Sequence, residues 1–241
     1  MKYLLLSFIL ALSSAWSYAL EQVTFAIGEW SPYTSETDPN GKIAEKVVQE
    51  ALALEGVKVN FTYNSWSDSY DQVKMGTADG TFPWYLNEER FGLFLFSDPI
   101  IVDQQVFFHL KANSFDWSGF DDLQQYKIGG TKAYSHIAEL QANGIEPIVS
   151  LDEKDSFKKV LSGEVDAYPA SLIVGQKMIG DTFSTTDAAK FVSHAIPMTV
   201  DNMFLLISKD IPNGKEIVST FNAGLLKLKG SGRYQQILDE I

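Results

Sequence analysis

The chain has 241 residues, 45% hydrophobic and 21% charged, a balance typical of a globular protein with one large domain or two smaller ones. Its formal net charge of −12 argues against nucleic acid and anionic lipid as partners, because both are bound mainly through basic residues. It contains no cysteine, which excludes disulfides, thiol catalysis, cysteine metal sites and a lipid-attached cysteine.

Residues 1–19 have the pattern of a secretory signal. Lys2 precedes an apolar run at 3–12, and small residues follow up to Ala19. The apolar run is too short to span a bilayer comfortably, so we expect cleavage, with Leu20 as the first mature residue. The mature protein is therefore predicted to lie in a bacterial periplasm, without membrane insertion, and we expect a monomer.

The first half of the mature chain alternates strand and helix patterns. The predicted strands are 22–27, 57–63 and 78–86, and the predicted helices are 41–55 and 67–76. This order implies a largely parallel sheet with helices on both faces, in which ligands bind beyond the carboxyl ends of the strands. The segments at those ends are 28–34, 64–67 and 83–90.

These strand-end segments are rich in aromatic residues. Trp30, Trp66, Trp84 and Tyr85 are candidates for the walls of a binding site, because aromatic rings bury apolar groups and hold cations over their faces. The alternative is local packing at the base of a lobe. For Tyr33 we favour the structural role.

The second half repeats the pattern. Strands are predicted at 126–130, 148–151 and 165–170, with helices within 130–140, at 152–162 and from about 171; an apolar strand at 203–208 and helical sequence at 214–240 follow. Two similar halves and a returning chain predict a two-lobe α/β fold. We assign residues 20–106 and 207–241 to lobe 1 and 107–206 to lobe 2. The hinge strands are expected near 106–110 and 203–208, with a ligand cleft between the lobes.

The stretch NEERFGLFLFSDPI, residues 87–100, places Arg90 at the start of an apolar run that we interpret as a strand. A guanidinium offers a rigid fork of donors that fits a carboxylate. The alternative is a surface ion pair with Glu88 or Glu89, which contributes little to stability. Its place after a strand end favours the ligand role.

Gly130 and Thr131 lie where a predicted strand turns into a helix. Glycine lets a ligand approach the backbone, and the N–H groups at a helix start favour anions. Thr131 could instead be a plain N-cap. Ser135 follows on the first turn and is a weaker candidate, as is Lys132. The three histidines show no metal-ligand spacing, and we expect no metal and no cofactor.

Five stretches in order resemble one known family. They are IGEWSPYT (27–34), MGTADGTFPWYLNEERFGLFLFSDPI (75–100), YKIGGTKAYS (126–135), LSGEVDAYPAS (161–171) and FNAGLLKLKGSGRYQQILDEI (221–241). Together they resemble the family 3 extracellular solute-binding proteins, the periplasmic receptors of amino-acid uptake systems. The resemblance implies a two-lobe α/β clamp of the periplasmic-binding-protein type II that closes around its ligand.

The resemblance also implies site residues. Arg90 takes the place of the arginine that holds the ligand carboxylate, and Gly130 and Thr131 take the place of a Gly-Thr pair that offers it a hydroxyl and N–H groups. Ser171 stands where family members usually have an aspartate for the ligand ammonium; it and Tyr168 are candidates for ligand contact. Where typical members have small hydroxyl residues, this chain has Pro83, Trp84 and Tyr85.

The leading functional prediction is a periplasmic solute-binding protein that is not an enzyme. It would capture a small anionic or zwitterionic solute, an amino acid or a relative, for an ABC-transporter permease. Two alternatives remain. One is a ligand-sensing partner of a membrane signalling receptor. The other is a cyclohexadienyl dehydratase-like enzyme, for which Glu29 is the acidic candidate at a strand end.

Overall fold

The computed structural model describes residues 20–132 and 134–240. The predicted signal, residues 1–19, lies outside the described residues. The fold is the predicted one: two α/β lobes joined by two long strands. In the described residues no helix combines the length and the apolar character needed to cross a membrane.

The elements of the first lobe follow the predicted order. In chain order they are β1 (Gln22–Ile27), α1 (Ile43–Ala53), β2 (Lys58–Tyr63), α2 (Trp66–Lys74), β3 (Gly80–Tyr85), α3 (Glu88–Leu93) and β4 (Phe94–Phe96). Strand β1 lies between β2 and β3 and is parallel to both. The carboxyl ends of these three strands therefore meet at one edge of the sheet, as the sequence predicts.

The second lobe follows after the first long strand, β5 (Ile101–Leu110). It contains a 3₁₀ helix (Phe120–Gln125), β6 (Gly129–Thr131), α4 (Ser135–Ala142), β7 (Ile148–Ser150), α5 (Glu153–Ser162), β8 (Ala167–Ser171), α6 (Leu172–Thr182), α7 (Thr185–Ala188) and β9 (Phe191–Ser193). The second long strand, β10 (Thr199–Ser208), returns to the first lobe, where α8 (Gly214–Gly230) and α9 (Arg233–Leu238) complete it.

The two long strands pair with each other over 101–105 and 199–203. Beyond that stretch β10 pairs with β3 and β4 of the first lobe, and β5 pairs with β8 and β9 of the second. Both strands begin earlier than predicted. The lobe boundaries and the hinge at 106–110 and 203–208 stay predictions.

Each lobe has its own apolar core. Helix α1 is buried along one face by residues at helical spacing, among them Ile43, Val47 and Ala51, each 0% exposed. It packs against α8 so closely that a Cβ at Gly224 would lie 1.9 Å from the carbonyl oxygen of Ala51. The second-lobe core is built around Phe108, Phe157 and other aromatic rings. These cores hold the strand ends that line the cleft.

One local prediction was wrong. Residues 90–93, which we interpreted as the start of an apolar strand, belong to α3, and only Phe94–Phe96 form a strand. Asn87 explains the difference, because its side-chain oxygen accepts the Arg90 backbone N–H at 2.8 Å and so begins a helix.

Candidate functional site

A cavity of about 710 Å³ opens where the strand ends of the two lobes face each other. This volume suits a small organic molecule. Its walls are formed by Glu29, Trp30, Trp66, Ser67, Tyr70, Asp71, Pro83, Trp84, Tyr85, Glu89, Arg90, Gln105, Thr131, Lys132, Tyr134, Ser135, His136, Leu151, Asp152, Glu153, Lys154, Met178 and Met203.

The four predicted aromatic residues of the first lobe all line this cavity. Trp66 and Trp84 pack edge to face, with ring centroids 5.3 Å apart, and the Trp84 indole N–H donates to Thr81 Oγ1 at 3.0 Å. Trp30 packs against Tyr33, which is 1% exposed and structural as expected. The rings therefore form a fixed apolar wall.

Arg90 lies in the same wall and is half-buried. Its guanidinium carbon lies 4.7 Å from the centroid of the Trp84 ring, and its Nη1 donates to the Tyr85 carbonyl oxygen at 2.8 Å. Within residues 20–132 and 134–240 it forms no ion pair, and neither Glu88 nor Glu89 bridges it. Burial lowers the pKa of Arg90 from its ordinary value, although the nearby Tyr70 and Glu89 act in the opposite direction.

Thr131 lines the second-lobe wall but does not cap α4, because α4 begins only at Ser135. Its hydroxyl is already shared with the hydroxyls of Ser156 at 2.8 Å and Tyr168 at 2.7 Å. Its backbone N–H donates to His136 Nε2 at 2.9 Å. A ligand that used the Thr131 hydroxyl would have to share it with this buried network.

His136 is 1% exposed, and its ring accepts that backbone hydrogen bond. Burial lowers the pKa of His136 to about 3. The ring is thus neutral near pH 7, with Nε2 as the acceptor and its proton on Nδ1. His136 supports the cleft wall and brings no positive charge to it.

Three predicted residues lie behind the cavity wall. Gly130 is buried, and a Cβ there would lie 2.6 Å from Ile137 Cδ1, so its close packing serves the lobe itself. Tyr168 is fully buried under Thr131. The Ser171 hydroxyl donates to Asp103 Oδ1 at 2.6 Å. Their ligand roles stay predictions, whereas Ser135 and Lys132 do line the cavity.

Asp103 joins the two lobes at the base of the cleft. It lies on β5 and is 2% exposed, and its carboxylate accepts hydrogen bonds from Ser171 of the second lobe and from Tyr33 and Tyr85 of the first. Burial raises the pKa of Asp103, and the hydrogen bonds from these three hydroxyls partly lower it again because they stabilise the ionised carboxylate. Tyr85 therefore lines the cavity with its orientation set by Asp103 of β5.

The polar residues of the cavity that were missed from the sequence include two buried ones. Gln105 belongs to β5, and Glu153 opens α5; each is 6% exposed. Burial raises the pKa of Glu153 to about 7. The sequence did place Glu153 just after the carboxyl end of a predicted strand, because residues 151–154 directly follow β7. A charged residue at the start of a helix is, however, usually interpreted as solvent-exposed.

Two α/β lobes around one cavity are the fold of periplasmic binding proteins. Residues 26–240 match the family described as bacterial extracellular solute-binding proteins, family 3. The chain belongs to this family, which confirms the resemblance seen in the sequence. A search of the curated proteins found no match. In the described residues no cluster of three metal-binding side chains occurs.

Three solved structures illustrate the likeness. A mutant of ArgBP from T. maritima is 17% identical, with a TM-score of 0.75 over 91% of this chain and 94% of that one. The amino acid ABC transporter substrate-binding protein AbpA from Streptococcus pneumoniae Canada MDR_19A, bound to L-arginine, is 19% identical, with a TM-score of 0.72 over 91% and 93%. A histidine kinase sensor domain with similarity to periplasmic binding proteins is 19% identical, with a TM-score of 0.75 over 90% and 95%. These likenesses show the fold.

Proposed function

We propose that this protein captures a small carboxylate-bearing solute, an amino acid or a relative, for uptake by an ABC transporter. The observation that carries the proposal is Arg90, a half-buried guanidinium in the cavity wall that forms no ion pair with the described residues. One of its donors is held by the Tyr85 carbonyl, which orients the group and leaves further donors for a carboxylate.

The aromatic wall indicates the body of the solute. Trp30, Trp66 and Trp84 offer ring faces and edges to an aliphatic or planar group beside the Arg90 guanidinium. The solved relatives named above include one bound to L-arginine. A ligand that contacts the walls of both lobes would favour a closed arrangement of the lobes, because it makes more contacts in that state than in an open one.

Calorimetric titration and melting with a panel of amino acids, amines and organic acids test the proposal. We expect a carboxylate ligand to raise the melting temperature, because a ligand at about a hundredfold its Kd stabilises the folded chain by ~2.7 kcal/mol. Arg90→Gln should abolish this shift. Arg233→Gln is the matched control, since Arg233 pairs with Glu50 on the far helices. Binding of carboxylates that survives in Arg90→Gln would refute the proposal.

We further infer a periplasmic location after signal cleavage and a permease as the partner, in line with the family. Fractionation of cells that make the full chain tests the location. Uptake of the solute should be lost when the chain is deleted and restored when it is supplied again. A lost transcriptional response with unchanged uptake would instead favour the sensing role, for which the sensor-domain neighbour gives only a common fold.

An enzyme on the same clamp is the second candidate. Glu29, the acid named from the sequence, is exposed and accepts the Glu36 backbone N–H at 2.9 Å, so it lacks the burial that such a role needs. Glu153 has it, and its pKa of about 7 suits an acid–base group. Turnover of a cyclohexadienyl acid that Glu153→Gln abolishes would establish this role; intact acid after long incubation would exclude it.

A further inference from the structure

The carboxyl of Glu153 is a buried acid on the cavity wall that makes no ion pair with the described residues. Asp152 caps α5 by accepting the Asp155 N–H at 2.8 Å, and this fixes the first helical residue, Glu153, against the cavity. Within the ranges 20–132 and 134–240 no lysine, arginine or histidine makes a salt bridge to this carboxyl, which is faced only by the hydroxyls of Tyr134 and Tyr168. A carboxylate left in that state costs free energy unless a partner arrives.

Gln105 brings an acceptor without a partner to the same cavity. Oε1 of Gln105 is buried and has no hydrogen-bond partner in the described residues. Gln105 lies two residues from Asp103 on β5, so both side chains point to the same face of that strand. The hinge strand and the start of α5 thus present acceptors to one cavity.

The groups around Glu153 supply no compensating cation. Tyr134 at the start of α4 and Tyr168 on β8 face it, and their hydroxyls hold its pKa below what burial alone would give; Asp103 on β5 and Asp152 on its own helix raise that pKa further. Lys132 and Lys154 also line the cavity, yet neither makes an ion pair with Glu153 within 4.0 Å. The cavity therefore has a negative region as well as the positive Arg90.

We propose that the Glu153 carboxylate and Gln105 Oε1 bind the cationic group of the solute, so that the ligand class is a carboxylate that also carries a protonated amine or guanidinium. This assignment rests on the proposed function, because it presumes a solute held by its carboxylate at Arg90. Glu153 then provides the acidic partner for the ligand ammonium. Ser171, which stands where the family usually has an aspartate for this group, is occupied by donating its hydroxyl to Asp103. An ammonium or guanidinium supplies an N–H donor to Gln105 Oε1, which has no partner among the described residues, and a positive charge to the Glu153 carboxylate, which has no ion pair there.

The assignment makes binding depend on pH. Glu153 must be ionised to hold a cation, and with a pKa of about 7 it is mostly protonated at pH 6 and mostly ionised at pH 8. Affinity for such a ligand should therefore be about tenfold weaker at pH 6 than at pH 8, and binding should release a proton.

The test compares the standard L-amino acids with the matching acids that lack the amino group, by calorimetry at pH 6 and pH 8. We expect at least one amino acid to bind the wild type and Glu153→Gln to weaken it at least tenfold and to flatten its pH dependence. Glu164→Gln is the control, since Glu164 is exposed beyond the end of α5. Melting of Glu153→Gln separately establishes that it is folded.

Three results would overturn the assignment. One is equal affinity for an amino acid and its counterpart without the amino group. Another is unchanged affinity in Glu153→Gln. If a carboxylate still binds in these cases and Arg90→Gln abolishes it, the proposed function stands and only the cation site falls. The third is a wild type that binds no carboxylate at all, which removes both.

Discussion

Replacing His136 by glutamine should make the protein more resistant to acid. The His136 ring is buried and accepts the Thr131 N–H through Nε2, so a proton on that nitrogen would break the bond and bury a charge. Glutamine can place an amide oxygen near the same point and cannot be protonated in this range. The variant therefore keeps the acceptor and removes the titration.

The magnitude follows from the two pKa values. An unfolded chain binds a proton at His136 near pH 6.5, whereas burial lowers the folded pKa to about 3. Between these values the unfolded state holds more protons, so stability falls as the pH falls through this window. Between pH 8 and pH 5 the loss amounts to about 2 kcal/mol of unfolding free energy.

The comparison must be made between variants, because Glu153 acts in the opposite direction. Its folded pKa is raised to about 7, so the folded state holds more protons above pH 4.5 and stability rises as the pH falls towards that value. The two contributions largely offset each other in the wild type.

Urea unfolding followed by tryptophan fluorescence at pH 5 and pH 8 provides the assay. We expect His136→Gln to gain about 2 kcal/mol relative to wild type on going from pH 8 to pH 5. The same replacement at His194, which contacts the exposed Asp116, controls for the chemistry of the change. Parallel stabilities of wild type and His136→Gln at both pH values would refute the reasoning.

Two further predictions concern packing and the contact between lobes. Gly224→Ala should lower the free energy of unfolding by about 1–3 kcal/mol in chemical unfolding, because the new Cβ would overlap Ala51; this outweighs the better helix propensity of alanine. Gly230→Ala is the control, since open space surrounds Gly230 and no loss is expected there. Equal stabilities of the two variants would contradict the packing described for Gly224. Lys177 Nζ of the second lobe lies 3.1 Å from Asp38 Oδ2 of the first. Lys177→Met should therefore weaken solute binding by less than about fivefold, and 0.5 M salt should remove the difference from the wild type. A loss of affinity that does not depend on salt would contradict a screened surface pair.

The sequence predicts helices and parallel strands well where one face is apolar, as in α1 and β1. It predicts the two long strands, β5 and β10, only in part. At the start of β5 the inward residues include Asp103 and Gln105, so the apolar run that signals a buried strand begins only at Val106. Asp103 can be buried on this face of β5 because three hydroxyls donate hydrogen bonds to it. Those hydroxyls come from residues distant in sequence, so no local pattern announces the pairing.

The cavity was predictable to a similar extent. The rule that ligands lie beyond the carboxyl ends of strands leads directly to Trp30, Trp66, Trp84 and Arg90 in the first lobe. In the second lobe the same rule does not say which residues reach the cavity and which are buried beneath its wall, because no local sequence pattern reports how deeply a residue is buried. Gly130, Tyr168 and Ser171 lie one layer below the surface that Glu153 reaches, because their side chains or backbone complete the lobe packing.

The pairing of Ser171 with Asp103 limits which substitutions this chain can accept at the base of the cleft. The family resemblance implies an aspartate at position 171, but Asp103 is itself a buried carboxylate within 2.6 Å of the Ser171 hydroxyl. Two acids there would repel each other in a medium that screens them poorly. Substitutions at 103, 171 and 85 are therefore epistatic. An acid introduced at 171 requires the replacement of Asp103, and that replacement leaves the Tyr85 hydroxyl without its acceptor.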